Sequence, residues 1–444
     1  MGASGTEWRN WSGSVRARPA RVAAPATTAE LAETVKAAAR DGLRVKPVGS
    51  GHSFTPIAVT DGVQLRLDRL DRVRSVDPAS GLVTVEGGVS LHRLGPALAG
   101  HGLAMENLGD IDRQTITGAI STGTHGTGAA FGGIATQVRG LEIVLADGTV
   151  AHCDADERPE LFEAARVGLG ALGVITAVTL QCVPAFALHG VEEPLPLDEV
   201  LDSLDEHADA EDHWEFFWFP HSRVALTKRH TRLPADTPLR PVGAVRHLVD
   251  DEILSNGALG AIMQIGTVLP RAIPAMTRFA SRALSRREYT DLSYRVYTSR
   301  RAVRFFEGEY AIPREHAADV LREISRWVDA HDEKIAFPLE VRYVAADDIP
   351  LAPTYRRDSV YIAFHQYTRM PYRRFFDAME DILGAVGGRP HWGKAHRLGA
   401  ERLAEIYPRF GDFTALRDEL DPAGLFANDY LDRVLGATSG QRRP

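Results

Sequence analysis

The chain has 444 residues, more than one compact core holds, so at least two domains are expected. Hydrophobic residues make up 44% and charged residues 25%, an ordinary globular composition, and the formal net charge of -8 argues against a nucleic-acid binder, which would carry a basic stripe. From the N-terminus, Met1 to Arg18 lacks an apolar core of signal-peptide length, and Gly2 with Thr6 fits only a loose myristoylation pattern. Thr27 and Glu30 form a capping box before Leu31, Val35 and Ala38, and Gly42 closes that helix. A strand is expected over Leu43 to Val48, followed by the glycine-rich loop GSGHSF. Short strands follow at Val63 to Leu67, Val73 to Val76 and Leu82 to Val85, then a helix at Leu91 to Ala99 ending at Gly100.

A long loop rich in Gly, Ser and Thr runs from Asn107 to Gly133, a length that is more often functional than idle. Asp147-Gly148 marks a hairpin between Leu141 to Leu145 and Thr149 to His152. A short helix near Leu161 to Arg166 leads into a β-branched strand from Gly173 to Val183. The composition shifts near Pro184. An aromatic run at His213 to Phe219, a long arginine-rich middle, a helix at Ala317 to Ala330 and strands at Glu340 to Val344 and Ser359 to Phe364 read as a second α+β domain. The most apolar stretch, Gly257 to Pro274, is interrupted by Pro270 and Arg271. It is a poor membrane span and reads as a buried helix with a loop, with peripheral membrane contact as the alternative. Cys153 and Cys182 have neither metal-ligand spacing nor a disulfide framework, so a reducing, cytoplasmic compartment is expected. Of 51 basic residues only five are lysines, Lys36, Lys46, Lys228, Lys334 and Lys394, which singles each out as a compact donor.

Gly168, Gly170 and Gly173 spell GxGxxG, but a helix precedes and a strand follows, the reverse of a dinucleotide fingerprint. Neither a GxxxxGK[ST] loop nor a GxSxG elbow occurs, which disfavours NTPase and hydrolase chemistry. The informative signal is a pair of loops, Gly49 to Ser53 and Ser121 to Gly128. Both expose backbone N–H groups without bulky side chains and both carry hydroxyls, which suits a phosphate-bearing cofactor.

These loops, with the segment ENLGDIDRQTITGAISTGTHGTG, the late HWGK and the terminal FANDYL, resemble the aldonolactone oxidoreductases of the vanillyl-alcohol-oxidase flavoproteins, over about Arg18 to Leu435. Alditol oxidase is a relative. The resemblance implies a two-domain α+β architecture: a PCMH-type FAD-binding domain over 18–184, an α+β substrate cap over 185–390, and a C-terminal segment, 391–444, packing back on the flavin. It implies FAD held by Gly49, Ser50, Gly51, His52, Ser53, Thr122, Gly123, Thr124, His125 and Gly126, with Val174 and Ile175 along the flavin, His391 facing it and His52 as the covalent attachment point. It implies Glu340, Arg342 and Lys394 as catalytic residues. Thr115 matches a substrate-contacting serine of alditol oxidase, and the match around His365 and Gln366 is too loose to assign. Gly109 matches a position where a small residue leaves room for dioxygen, which favours an oxidase. The implied partners are a sugar lactone or polyol and molecular oxygen. The substrate reading is an L-gulono- or D-arabinono-1,4-lactone, with an alditol oxidase, or a lactone dehydrogenase using another acceptor, as alternatives. A degenerate, non-catalytic member is disfavoured by the presence of all three catalytic positions. His391 and His396 are badly spaced for metal ligation on one helical face, so no metal is expected.

Overall fold

A computed structural model of the chain describes residues 7–242, 259–298 and 303–441. The myristoylation pattern at Gly2, the start of the apolar stretch at 257–258 and part of the arginine-rich middle lie outside the described residues.

Arg21–Ala23, Val63–Arg66 and Val45–Val48 form a parallel three-stranded sheet in that order. Parallel neighbours need crossover connections. One is the helix Thr28–Arg40, whose Leu31, Val35 and Ala38 are fully buried. Thr27 Oγ1 accepts the Glu30 N–H at 3.1 Å, and Glu30 Oε2 accepts the Ala26 N–H at 2.8 Å. The expected cap therefore forms, with its return bond one residue upstream. The other crossover is the loop 49–62, so GSGHS leaves the carboxyl end of a parallel strand, where ligands of such sheets collect.

A second, antiparallel sheet runs in the order Val150–Asp154, Val138–Val144, Val174–Gln181, Leu82–Glu86, Val73–Asp77. The hairpin about Asp147-Gly148 is present, with Gly148 at φ +81° as its turn requires. The helix Pro159–Ala165 precedes and Val174–Gln181 follows the GxGxxG glycines, so the reversed order read from the sequence holds. The stretch 107–133, expected as loop throughout, contains the helix Ile116–Ser121. Six residues with an internal Gly118 give too weak a periodicity to read.

The third layer is an eight-stranded antiparallel sheet in the order Arg287–Leu292, Phe186–Pro196, Val224–Pro234, His213–Trp218, Leu339–Val344, Ser359–Tyr367, Phe305–Pro313, Arg389–Pro390. Side chains alternate between faces with period two. Trp214, Phe216, Val341, Tyr343, Ile362, Phe364, Tyr310 and Ile312 pack on the helices Ala317–Ala330 and Arg373–Ala385, which makes one face a closed apolar core. The alternate positions, including Glu215, Glu340, Arg342, Tyr361, His365, Glu307 and Glu309, share the opposite face. Burying charge there is tolerated only where the charges pair.

The tail returns to the first layer. Asn428 Nδ2 donates to the carbonyls of Pro56, Ile57 and Val59, and the Leu425 carbonyl accepts the Val45 N–H at 2.7 Å.

The apolar stretch corrects the expectation of a buried helix with a loop. It forms two helices, Leu259–Val268 and Ile273–Arg282, that bury Met263 and Ile273. They leave Val268 87% and Phe279 75% exposed, with Leu269 also open to solvent. The pair is amphipathic rather than a core element. Among the described residues no helix is long and apolar enough to cross a membrane.

Candidate active site

The GSGHS loop is shaped to receive an anion-bearing group. Among the described residues none accepts a hydrogen bond from the N–H groups of Ser50, Gly51, His52 or Ser53. Such a run of unspent donors forms an anion-binding nest. A Cβ on Gly49 would lie 2.5 Å from Thr115 Oγ1, and Gly51 sits at φ +71°, so both positions require glycine. The N-terminal segment braces the loop: Trp11 N–H donates to Gly51 O at 2.8 Å, Asn10 Nδ2 donates to Ser53 O at 3.0 Å, and the Trp11 ring stacks on His52 at 5.8 Å. Burial, then the Lys394 ammonium, pushes the His52 imidazole down to about 4, so it is neutral near pH 7 and keeps a free lone pair.

The loop opens on a cleft lined by Gly49 to Ser53, Gln114, Thr115, Ser121, Thr122, Gly170 and Ile175. A second cleft, the chamber, shares His52, Ser53, Gln114 and Thr122 and extends to Asp110, Thr124, His125, Glu309, Arg342, His391 and Lys394. The two glycine loops, distant in sequence, therefore line adjoining clefts that share four residues.

The chamber is built by the polar face of the large sheet and the HWGK turn. His391 N–H donates to Glu309 O at 3.0 Å and Ala395 N–H to Glu307 O at 2.9 Å, so the turn runs alongside strand Phe305–Pro313. Trp392, fully buried, fixes it by donating from Nε1 to Leu351 O at 2.7 Å. Lys394 Nζ consequently lies 2.5 Å from Glu307 and 3.9 Å from Glu309. Burial pushes the ammonium down, but the two carboxylates outweigh it and hold Lys394 above its usual range. Burial likewise raises Glu307 and Glu309, and Lys394 with His365 for the first and His125 with Lys394 for the second turn the net direction downward, so both stay ionised. Arg342 pairs with Glu340 on its own strand, with Glu215 at 2.9 Å and with Asp110 at 3.5 Å.

His125, Glu309 and His391 bring ligand-type atoms within 4.8 Å of one another, a grouping that the His391 and His396 spacing did not foreshadow. His125 Nδ1 contacts Gly126 O at 2.9 Å and its Nε2 lies 3.2 Å from Glu309, while the ring stacks on Tyr361 at 3.7 Å. His391 Nδ1 accepts the Gly393 N–H at 3.0 Å, and burial pushes its pKa down to about 3. Both ring nitrogens of His125 and Nδ1 of His391 are thus engaged within the protein. His396 turns away, its Nε2 3.1 Å from Tyr430 OH.

Not every expected residue joins the cavity. Val174 is buried in the core beneath the parallel sheet while Ile175, its alternate, lines the cleft. Thr115 caps the helix Ile116–Ser121, accepting the Gly118 N–H, and lies by Gly49 rather than with Arg342 and Lys394. Gly109 is absent from both linings. A Cβ there would press on His125 O at 3.0 Å and Thr124 Cγ2 at 3.2 Å. Gly109 has no positive φ, so close packing, not the turn, demands it. Gly123 and Gly126 shape the second loop without lining the clefts; a Cβ on Gly126 would lie 2.5 Å from Leu108 O. Glu340 stands behind Arg342. The residues missed from the sequence are Asp110, Glu215, Glu307, Glu309 and Trp11. Glu307 and Glu309 carried a usable signal, the same one-residue spacing on a strand that marks Glu340 and Arg342.

With this geometry in hand, comparison with known proteins is decisive. A family model for D-arabinono-1,4-lactone oxidase matches residues 178–434, and one for an FAD binding domain matches residues 19–154. The chain belongs to the aldonolactone oxidoreductase family. It is 44% identical over 429 residues to the L-gulono-1,4-lactone dehydrogenase of Mycobacterium tuberculosis, covering 97% of this chain and 99% of that one. It is 37% identical over 442 residues to the L-gulonolactone oxidase of Bos taurus, covering 98% and 99%, and 34% identical over 441 residues to the alditol oxidase of a Streptomyces species, covering 96% and 98%. The structure of cholesterol oxidase from B. sterolicum superposes with a TM-score of 0.80 at 18% identity, over 97% of this chain and 96% of that one. That likeness establishes the vanillyl-alcohol-oxidase fold. This family member is therefore an FAD-dependent oxidoreductase acting on CH–OH groups.

Proposed function

We propose that the chain oxidises an aldonolactone of the L-gulono- or D-arabinono-1,4-lactone type at a C–H next to a hydroxyl. The observation that carries this reading is the buried chamber in which Arg342 and Lys394 face one cavity beside the glycine-loop cleft. FAD, when bound, supplies the hydride acceptor and passes the electrons on to oxygen. The FAD would be held by the nest at Ser50 to Ser53 and by Thr122 and Thr124, and tethered through His52, whose neutral ring is the form able to bond. Arg342 and Lys394 orient the substrate hydroxyl and stabilise negative charge as its proton leaves. His391, kept neutral, and the ionised Glu309 close the chamber wall, and no metal is assigned to them. The enclosing sheet face excludes water. We place the domain boundaries at 18–184, 185–390 and 391–444.

The names of the relatives favour a lactone over an alditol. The test is initial rates on L-gulono-1,4-lactone, D-arabinono-1,4-lactone and xylitol, each followed as oxygen uptake and as dye reduction. Lactone turnover with oxygen uptake supports the reading. Preference for xylitol assigns the alditol alternative, and dye reduction without oxygen uptake assigns a dehydrogenase.

For location, the cytoplasm with peripheral membrane contact is our reading. The exposed Val268, Leu269 and Phe279 lie on a helix pair whose charged residues are Arg271, Arg278 and Arg282, the composition of an interfacial anchor. Co-sedimentation with anionic vesicles, lost in Val268→Ser/Phe279→Ser, checks it; equal sedimentation of both proteins contradicts it.

A further inference from the structure

The polar face of the large sheet carries a row of charge that reaches the chamber from its far edge. Strand register sets Arg287 opposite Glu192, Glu192 opposite Lys228, Lys228 opposite Glu215 and Glu215 opposite Arg342. Directly opposed residues share a face and touch, so these five stand in one line across five adjacent strands with alternating sign. Arg287 Nε and Nη2 grip Glu192 at 2.7 and 2.8 Å, and Tyr289 OH donates to the same carboxylate at 3.1 Å. Lys228 Nζ stands 4.0 Å from Glu192 and 3.9 Å from Glu215. Glu215 Oε2 accepts Arg342 Nε–H at 2.9 Å.

Arg342 ends the row and lines the chamber, while Glu215, Lys228 and Glu192 do not. Its Nη2 goes to Glu340 and Asp110 and its Nε to Glu215. That leaves Nη1 without a protein partner among the described residues. A guanidinium is planar, so fixing Nε and Nη2 fixes where Nη1 points.

We propose that Glu215 is the positioning residue for Arg342, and that Lys228, backed by Glu192 and Arg287, holds Glu215 in place. The row, rather than the substrate, then sets the direction of the Nη1–H bonds offered to a substrate oxygen. This rests on the reading of Arg342 as a substrate-contacting group. Without Glu215 both remaining partners lie on the Nη2 side, and the guanidinium turns toward them. Such a misplacement slows chemistry more than it weakens binding.

The test uses the flavin-loaded full chain and follows anaerobic flavin reduction by lactone, with melting temperature and flavin content as controls. Glu215→Ala is expected to slow reduction at saturating lactone by about tenfold or more, a loss of about 1.4 kcal/mol in the transition state. Glu215→Gln, whose amide oxygen still accepts the Nε–H, recovers most of that rate. Lys228→Met slows reduction when Glu215 is present and adds nothing in the Glu215→Gln background. If Glu215→Ala does not fold, this pair of Lys228 comparisons decides, because both proteins keep the Nε acceptor. A lowered melting temperature or raised KM with an unchanged saturating rate makes the row a structural device only and overturns the proposal. Full reduction rate in Arg342→Ala removes Arg342 from the chemistry and the row's function with it, whereas loss in Arg342→Ala beside normal Glu215 variants overturns the row alone.

Discussion

Replacing Lys394 by Met reverses the sign of a pH dependence. Lys394 Nζ is the cation between Glu307 at 2.5 Å and Glu309 at 3.9 Å, both fully buried from solvent for practical purposes. Removing one partner of a buried pair costs about 3–5 kcal/mol, because the charge left behind remains desolvated. Unfolding entropy scales at about 2.1 cal/mol/K per residue, so for a chain of this size each kcal/mol is worth about 1 °C. The variant should therefore melt about 3–5 °C below the unsubstituted protein at about pH 8. In the unsubstituted protein Glu307 is held below its ordinary 4.5, so its contribution is present above that value and lost as pH falls through the lowered one. In the variant, burial and the neighbouring Glu309 push Glu307 upward against His365 alone, and should prevail. Its contribution is then present below 4.5 and lost as pH rises through the raised value. The deficit should shrink as pH is lowered from about 8, as one carboxylate takes up a proton. Lys394→Arg, which keeps the cation, should show no such trend. The assay is thermal denaturation of the flavin-loaded proteins across this range. A deficit that is constant with pH refutes the shared-cation account.

Three further outcomes are expected. His52→Ala should release its flavin into the supernatant on acid precipitation; flavin retained in the pellet moves the tether to another residue. Gly109→Ala should act through His125, because the new methyl meets the His125 carbonyl at 3.0 Å outside the clefts, so reduction by lactone and reoxidation by oxygen should slow together; slowing of reoxidation alone would contradict this and give the position a direct role toward oxygen. Burial raises Asp347 to about 6, so its contribution is present below 3.8 and lost as pH rises through about 6. Asp347→Asn should then stabilise the protein at pH 8 by about 3 kcal/mol and leave its melting temperature unchanged near pH 4, and an equal shift at both values argues against a buried neutral carboxyl.

What could be read from the sequence was what chain-local chemistry specifies. The Thr27 cap, the Asp147-Gly148 hairpin and the helices Leu91–Ala99 and Ala317–Ala330 each have their determinants within a few residues, and they form where expected. The nest at Ser50 to Ser53 was legible because glycine and hydroxyl residues advertise an exposed backbone. Glu215 was not, since it meets Arg342 across 127 residues through strand register alone. Glu307 and Glu309 were hidden in the aromatic wording FFEGEY, whose alternation was the available clue. Val174 and Ile175 were taken as a pair, but adjacent strand residues face opposite ways, and only Ile175 lines the cleft. The apolar stretch near Leu259 misled because hydrophobicity alone does not say which face is covered.

The central claim is that this chain uses FAD to oxidise a sugar lactone. Purified protein, freed of oxygen, should be mixed with L-gulono-1,4-lactone while its visible flavin absorbance is followed. Bleaching in a single turnover, reversed when air is admitted, is the predicted result. An intact flavin spectrum after prolonged exposure to that lactone and to D-arabinono-1,4-lactone would contradict the account.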